Sequence, residues 1–407
     1  MDYSQTLIWL YNQLPFYQDK GGLAYKKDVH NILNFSKKNG RDYDCFPTIH
    51  VGGTNGKGSV SHMLSSILQE SELNIGLFTS PHLLDFRERI KINNQMISEQ
   101  FVIDFVQKHM TDFKTMKMSF FEMTVVMAFK YFECNNVDLA IIEVGLGGRL
   151  DSTNVITPVL SIITNISFDH QDLLGDSLTL IAKEKAGIIK KETPVLIGEK
   201  SPHTHIFEEK AQNLQAPIFY SKQAPYKSDL KGDYQVSNIN TSATAIKILN
   251  NLDYKISKNH IINGLNHIIK NTGLRGRWEV ISKEPLVICD VAHNIGAFNY
   301  IVSELNISKL NKHIILGFSR DKDFKSILKI LPKDYQYYIC GSLNERIINP
   351  NELSSYFDNY NLSYKIFDLS YNAYTDLVSK SNKNDLIMIT GSTFIVSDIL
   401  KYLDNIE

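Results

Sequence analysis

The sequence predicts an α/β protein in two parts, a large parallel-sheet domain of P-loop type and a smaller doubly wound, Rossmann-like C-terminal domain. Three observations carry this. Short apolar runs alternate with segments of helical period along most of the 407 residues, the pattern of repeated βαβ units. One such run opens onto a glycine-rich turn that contains a lysine and leads straight into a helix. Near residue 273 the alternation is interrupted, and afterwards it starts afresh.

Taken in order, Leu7 to Leu14 reads as a short amphipathic helix. The first clear strand is Thr48–Val51. It runs into Gly52-Gly53-Thr54-Asn55-Gly56-Lys57-Gly58-Ser59, and Val60, Met63, Leu64 and Ile67 then share one helical face. Asn74–Phe78 is a second strand, ending at Thr79-Ser80-Pro81-His82. Phe101–His109 and Phe120–Phe132 read as helices. Asp138–Val144 is largely apolar, as a parallel strand covered on both faces must be. Val159–Thr164 is another strand, and the alternation continues to about residue 270. Residues 1–272 form the first predicted domain, 273–277 (Gly-Leu-Arg-Gly-Arg) a linker and 278–407 the second domain. There, strands are expected at Leu286–Cys289, His313–Leu316, Tyr337–Cys340, Tyr364–Phe367 and Leu386–Ile389. Helical patterns lie near Ala297–Leu305, Phe324–Leu331, Asn351–Tyr356 and Ala373–Ser379, the arrangement of a doubly wound sheet.

Bulk properties narrow the function. Basic and acidic residues number 43 and 44, so charge gives no general reason to expect nucleic acid or an anionic membrane as partner. No apolar run reaches membrane-spanning length, and the N-terminus lacks the basic start of a signal peptide. Cys45, Cys134, Cys289 and Cys340 form no CxxC pair, which argues against structural zinc or a disulfide framework and for free thiols in a cytoplasmic protein.

A strand, a glycine-rich turn with lysine and a helix together make a phosphate cradle. Glycine lets successive N–H groups turn inward, and the helix adds its positive end. Lys57 would reach the outer phosphates. The strict GxxxxGK[ST] pattern is not met, because Val51 takes the first glycine position and Gly58 the hydroxyl position, with Ser59 one place later. An ordinary strand-to-helix turn is the plainer alternative. Glu143, at the end of a buried strand and before Val144-Gly145-Leu146-Gly147-Gly148-Arg149, reads as a magnesium-site acid or as a solvated strand end.

The blocks together resemble those of folylpolyglutamate synthases and dihydrofolate synthases, within the Mur ligase superfamily. The similarity covers Gly53–Ser59, then Thr79–Leu83 with Glu88-Arg89-Ile90, Phe120-Phe121-Glu122 and Glu143–Asn154. It continues through Asn165-Ile166, Asp169-His170, Glu184–Ile189, Asp290–Asn294, Asp321-Lys322-Asp323 and Gly391-Ser392. Three places depart from the family pattern: Val291 for glycine, Ile295 for proline, and Arg275–Glu279 for Pro-Gly-Arg-Leu-Glu.

The resemblance implies an ATP- and Mg2+-dependent ligase, with an ATPase-type first domain and a glutamate-ligase second domain, active in folate biosynthesis. A carboxylate would take the γ-phosphate of ATP, and the amine of L-glutamate would then displace phosphate. Dihydropteroate and reduced folates are the implied acceptors and a monomer the implied state. It implies catalytic roles for Lys57, Lys185 and His170, and nucleotide contacts from Thr54, Asn55, Gly56, Lys57, Gly58, Ser59, Asn238, Arg277, Asp290 and His293. Ser80, Glu143, His170 and Lys185 match metal ligands, Lys185 as a carbamate. ATP would then lie in an interdomain cleft. Arg89, Phe121 and Asp151 fall where the acceptor is expected. Phe86, Phe120 and Phe121 are equally suited to stacking on its rings or to core packing, and Lys322 is a further candidate. The rival readings are an unrelated P-loop kinase, a cell-wall Mur ligase and a non-catalytic nucleotide-binding scaffold.

Overall fold

The computed structural model describes residues 1–13, 28–40 and 43–405, so Leu14 of the expected first helix lies outside the described residues, and that helix runs Tyr3–Asn12. The chain packs as two compact units. One comprises Met1–Ser167, Gln171–Asp229 and Gln235–Gly273; the other comprises Phe168–His170, Leu230–Tyr234 and Leu274–Glu407.

The strands of the first unit are β1 (Thr48–Gly52), β2 (Ile75–Phe78), β3 (Ile90–Ile92), β4 (Gln95–Met96), β5 (Leu139–Glu143), β6 (Leu160–Ile163), β7 (Val195–Ile197) and β8 (Ile218–Tyr220). Among the described residues they form one sheet in the order β4-β3-β2-β5-β1-β6-β7-β8. β2, β5, β1, β6, β7 and β8 are parallel, and β3 and β4 add an antiparallel edge. β1 and β5 are buried along their whole length, which is why their sequences are near-continuous apolar runs. Val51 pairs with Glu143 and Gly52 with Ile163, so the loops after β1, β5 and β6 leave from one edge of the sheet, where α/β sheets bind ligands.

Capping sets the helix starts. Ser98 accepts from Phe101 N, so the helix begins at Glu99 and runs to Thr115, longer at both ends than its apolar face alone suggests. Ser119 and Glu122 make a reciprocal capping box that opens Phe120–Cys134. Phe105, Phe113, Phe129 and Phe132 of these helices fill one core. A second core joins β6 and β7 to the helices Leu178–Ala186 and Thr204–Asn213 through Ile163, Val195, Ile197, Ala182 and Phe207.

The second unit contains β9 (Glu279–Lys283), β10 (Leu286–Cys289), β11 (Asn311–Leu316), β12 (Gln336–Cys340), β13 (Tyr364–Phe367) and β14 (Asp385–Thr390). Their order is β13-β12-β11-β14-β10-β9, parallel except for the edge strand β9. The two-sheet α/β architecture is the expected one. β3, β4 and β9, all on antiparallel edges, are additions to the sequence reading. No described helix is long and apolar enough to cross a membrane.

Candidate active site

The phosphate-type loop is built by two left-handed glycines. Gly53 has φ of +140° and Gly56 of +82°, conformations that side-chain-bearing residues rarely adopt. Space demands glycine as well. A Cβ at Gly53 would lie 1.9 Å from Thr164 Oγ1, and one at Gly56 2.3 Å from Asn238 Oδ1. The loop is braced by the residues that follow β6. Thr54 N donates to Asn165 O at 3.0 Å, Asn55 N to Asn165 Oδ1 at 2.9 Å, and Thr164 Oγ1 to Asn55 O at 2.7 Å. Ser167 N donates to Thr54 Oγ1 at 3.0 Å. Lys57 folds back over the loop, its Nζ donating to Gly53 O at 3.1 Å and Thr54 O at 3.0 Å. Lys57 and Gly58 open the helix Lys57–Gln69, which no side chain caps, and Ser59 is buried within it. That leaves an uncapped positive helix end at the loop. Asn238 is buried in the helix Gln235–Asn250 and donates to Gln235 Oε1 at 2.8 Å.

Glu143 ends β5 beside the loop and is buried, and it accepts Ser80 N at 3.0 Å. Two of the four expected metal ligands therefore meet at one place. Lys185 is also buried in this unit, its Nζ donating to Gly53 O at 2.8 Å, so it too touches the loop. Its position comes from a close fit of two blocks. Arg149 N donates to Glu184 O at 2.8 Å, and a Cβ at Gly148 would lie 2.7 Å from that same carbonyl. Asn154 Nδ2 bonds Gly187 O at 3.0 Å. His170 falls in the second unit instead, with φ of +49°.

Among the acceptor candidates, Arg89 is buried. Its Nε donates to His82 Nδ1 at 2.8 Å and its guanidinium lies 5.2 Å from the Phe120 ring centre. Burial pushes it down to about 10, so it stays charged at neutral pH. Phe86 and Phe120 are core residues, 5.9 Å apart edge to face, whereas Phe121 is only partly buried and packs over Gly145. Asp151 is buried and organises the glycine loop. Its Oδ2 accepts Leu146 N at 2.8 Å and its Oδ1 accepts Thr153 N at 2.9 Å. Burial raises its carboxyl above the ordinary range, against the pull of these hydrogen bonds.

The second unit gathers another cluster. Lys322 Nζ donates to Asp169 Oδ1 at 2.6 Å and to His170 Nε2 at 3.0 Å. His293 Nε2 lies 3.4 Å from Asp169 Oδ2, to which Asn294 Nδ2 also donates at 3.3 Å. Burial would raise the Asp169 carboxyl, but His170, Lys322 and His293 outweigh it and hold it well below the ordinary range. Asp290 is buried at the end of β10. It accepts from Tyr234 OH at 2.7 Å, Trp278 N at 2.9 Å and Ala292 N at 2.9 Å. Burial raises its carboxyl and Arg277 opposes this. The Arg277 guanidinium itself donates to Gly276 O at 3.2 Å.

Sequence reasoning passed over the loop braces Thr164 and Ser167, and Tyr234 beside Asp290. The signal for Thr164 was its place at the carboxyl end of the strand next to β1. The donors at Ser80 and Glu143 are hard oxygens, and among the described residues no three His, Cys, Asp or Glu side chains are placed so that they could hold a metal ion by themselves. Such a set fits magnesium, which takes one or two carboxylates and leaves its other positions to phosphate and water.

Residues 51–261 match the Mur ligase middle domain, and residues 276–393 the Mur ligase glutamate ligase domain. A dihydrofolate synthase/folylpolyglutamate synthase of Buchnera aphidicola subsp. Acyrthosiphon pisum is 33% identical over 396 residues, 92% of this chain and 94% of that protein. The folylpolyglutamate synthase of Thermotoga maritima has a similar crystal structure, with 27% identity, a TM-score of 0.81, and coverage of 100% of this chain and 97% of that one. A bifunctional folylpolyglutamate synthase/dihydrofolate synthase solved with Mn, AMPPNP and L-glutamate bound is 26% identical, with a TM-score of 0.84 over 99% and 98% of the two chains.

Proposed function

The chain belongs to the dihydrofolate synthase/folylpolyglutamate synthase family of the Mur ligases, and we propose that it spends ATP to join L-glutamate to dihydropteroate and to (poly)glutamylated tetrahydrofolate. The observation that carries this reading is the pairing of a doubly glycine-hinged loop at the end of β1 with the buried Glu143 at the end of the adjacent β5. A kinase uses the same pair, but a match to the Mur ligase glutamate ligase domain over residues 276–393 favours the ligase.

The chemistry follows from what a carboxylate lacks. At neutral pH it has no leaving group. Attack of the acceptor carboxylate on the γ-phosphate releases ADP and gives an acyl phosphate. The glutamate amine then attacks the carbonyl carbon, phosphate departs and an amide remains. The chain's own part is binding, charge neutralisation and exclusion of water. Backbone N–H groups of residues 56–59 hold the triphosphate, with Thr54 and Asn55 bracing the loop through Asn165, and Lys57 exchanges its loop carbonyls for phosphate oxygens. Asn238, against Gly56, takes the adenine. Arg277 takes phosphate, Asp290 a ribose hydroxyl, and His293 the nucleotide or the glutamate. Ser80, Glu143 and, as a carbamate, Lys185 are the proposed magnesium ligands. When bound, the ion draws negative charge from the transferring group. Arg89 and Phe121 face the acceptor, while Asp151 shapes the glycine loop.

The four free cysteines fit a reducing cytoplasm, and the protein acts as a monomer. The decisive experiment supplies ATP, magnesium and L-glutamate with dihydropteroate or tetrahydrofolate in separate reactions and identifies products by mass. Glutamylated product and ADP are expected from both. Absence of product from both acceptors removes the folate assignment.

A further inference from the structure

His50 lies in the middle of β1, three residues before Gly53, with none of its surface exposed. Its Nε2 is 2.9 Å from Thr153 Oγ1. The Thr153 hydroxyl bonds Asp151 Oδ1 in turn, and Asp151 Oδ2 accepts Leu146 N of the glycine loop that follows Glu143. Three side chains thus run in line from the centre of the sheet to that loop.

A hydroxyl has one hydrogen, so the chain must point one way. If Thr153 donates to the Asp151 carboxylate, it can only accept from His50, and the imidazole hydrogen sits on Nε2. The bare atom is then Nδ1, which has no hydrogen-bond partner among the described residues. The opposite polarity puts the hydrogen on Nδ1 and buries an N–H with no acceptor, an arrangement folded proteins rarely contain. A doubly protonated ring buries the same orphan donor together with a charge. Burial, with Lys190 acting in the same direction, pushes the imidazole down to about 3, in keeping with a neutral ring.

We propose that His50 is a positioning residue for the ligase reaction: a neutral ring carrying its hydrogen on Nε2, it anchors through Thr153 and Asp151 the loop of residues 145–149 behind Glu143. The anchor ties together two elements of the candidate site. β1 leads into the phosphate loop. Gly148, in the anchored loop, packs so closely on the helix of Lys185 that an added Cβ would lie 3.2 Å from Lys185 Cα. The role rests on the reading that Glu143 and Lys185 serve ATP. The hydrogen-bond polarity does not.

The test has two arms on the full chain. In the first, long-range proton–nitrogen spectra of histidine-labelled protein are recorded, with the His50 signal among the 12 histidines assigned by its loss in His50→Gln. Nε2 should be protonated and Nδ1 not, unchanged between about pH 6 and about pH 8. A ring protonated on Nδ1, or one that titrates in that interval, overturns the proposal. The second arm is kinetic. Thr153→Val keeps the shape and deletes the hydroxyl, and it should lower kcat roughly 10–100-fold with a smaller change in KM for ATP. Thr153→Ser should recover most of the loss. A Thr153→Val enzyme with the parent kcat overturns the positioning role. A parent protein that makes no glutamylated product sinks the proposed function instead, and leaves the tautomer result to be judged alone.

Discussion

Replacing Gly56 by alanine tests the phosphate loop, because the structure separates its cost into two parts. The first is backbone strain. Gly56 has φ of +82°, and a left-handed alanine costs about 1–2 kcal/mol. The second is contact with Asn238, whose Oδ1 would lie 2.3 Å from the new methyl group. Asn238 is buried and bonded to Gln235 at 2.8 Å. Moving it gives up a hydrogen bond worth about 1 kcal/mol and overpacks the site by about 1–2 kcal/mol. Gly56→Ala should therefore cost about 3–5 kcal/mol in the parent but only about 1–2 kcal/mol in an Asn238→Ala background, where the contacting atoms are gone. The assay is denaturant unfolding followed by tryptophan fluorescence. The chain has two tryptophans, so in a Trp278→Phe background Trp9 reports the first unit alone. The same penalty in both backgrounds would show that Asn238 does not lie against the loop, and the adenine role given to it would lose its structural basis.

Three further outcomes are expected. Lys57→Met keeps the stem but removes the ammonium that lies 3.1 and 3.0 Å from the loop carbonyls. It should lower kcat/KM for ATP by roughly a hundredfold or more in a steady-state assay. Stability should depend on His50, whose imidazole is pushed down to about 3 by burial. The unfolded chain takes up a proton there from about pH 6.5 downward and the folded chain does not. Stability is therefore full above that pH and declines below it, by about 2–3 kcal/mol by pH 4.5, and His50→Gln should flatten this slope in pH-dependent unfolding. Finally, if Lys185 carries a carbamate, labelled bicarbonate should give a carbamate carbon resonance that is absent from Lys185→Met. A spectrum unchanged by that substitution removes Lys185 from the metal ligands.

Legibility followed burial. β1 and β5 were read to within a residue because strands covered on both faces tolerate little but apolar side chains. The antiparallel strands β3, β4 and β9 passed unnoticed. Each is short or half exposed, and Ile90-Lys91-Ile92 offers too few alternations to register a period of two. Within the site, Lys57 and Glu143 were legible because a local rule places each: a turn before a helix, and an acid after an apolar run. Lys185 was not. Its neighbourhood depends on Gly148 and Gly187 letting two distant backbones touch, since a Cβ at Gly187 would lie 2.3 Å from Arg149 Cα. Nothing local in Glu184-Lys185-Ala186-Gly187 announces that contact, and only the family resemblance pointed to the lysine.

Asp151 and Asp290 show how far a motif stops short of a role. Both are buried acids to which ligand contacts were given from sequence. A carboxylate offers about four acceptor positions. Asp151 has its positions taken by Leu146 N, Thr153 N, the Thr153 hydroxyl and a further backbone bond from Gly145. A ligand could reach it only by breaking the loop it builds. Asp290 receives three hydrogens, from Tyr234, Trp278 and Ala292, and so has room for one more. A ribose hydroxyl donating to that charged group should contribute about 1.5–3 kcal/mol, so deoxy analogues of ATP should show a KM raised roughly 10–100-fold in the unmodified enzyme. Comparing 2′-deoxy and 3′-deoxy ATP identifies which hydroxyl is held. If both analogues serve as well as ATP, the remaining acceptor position on Asp290 goes unused by the nucleotide, and the acid is there to fix Trp278 and Ala292 at the start of the second unit.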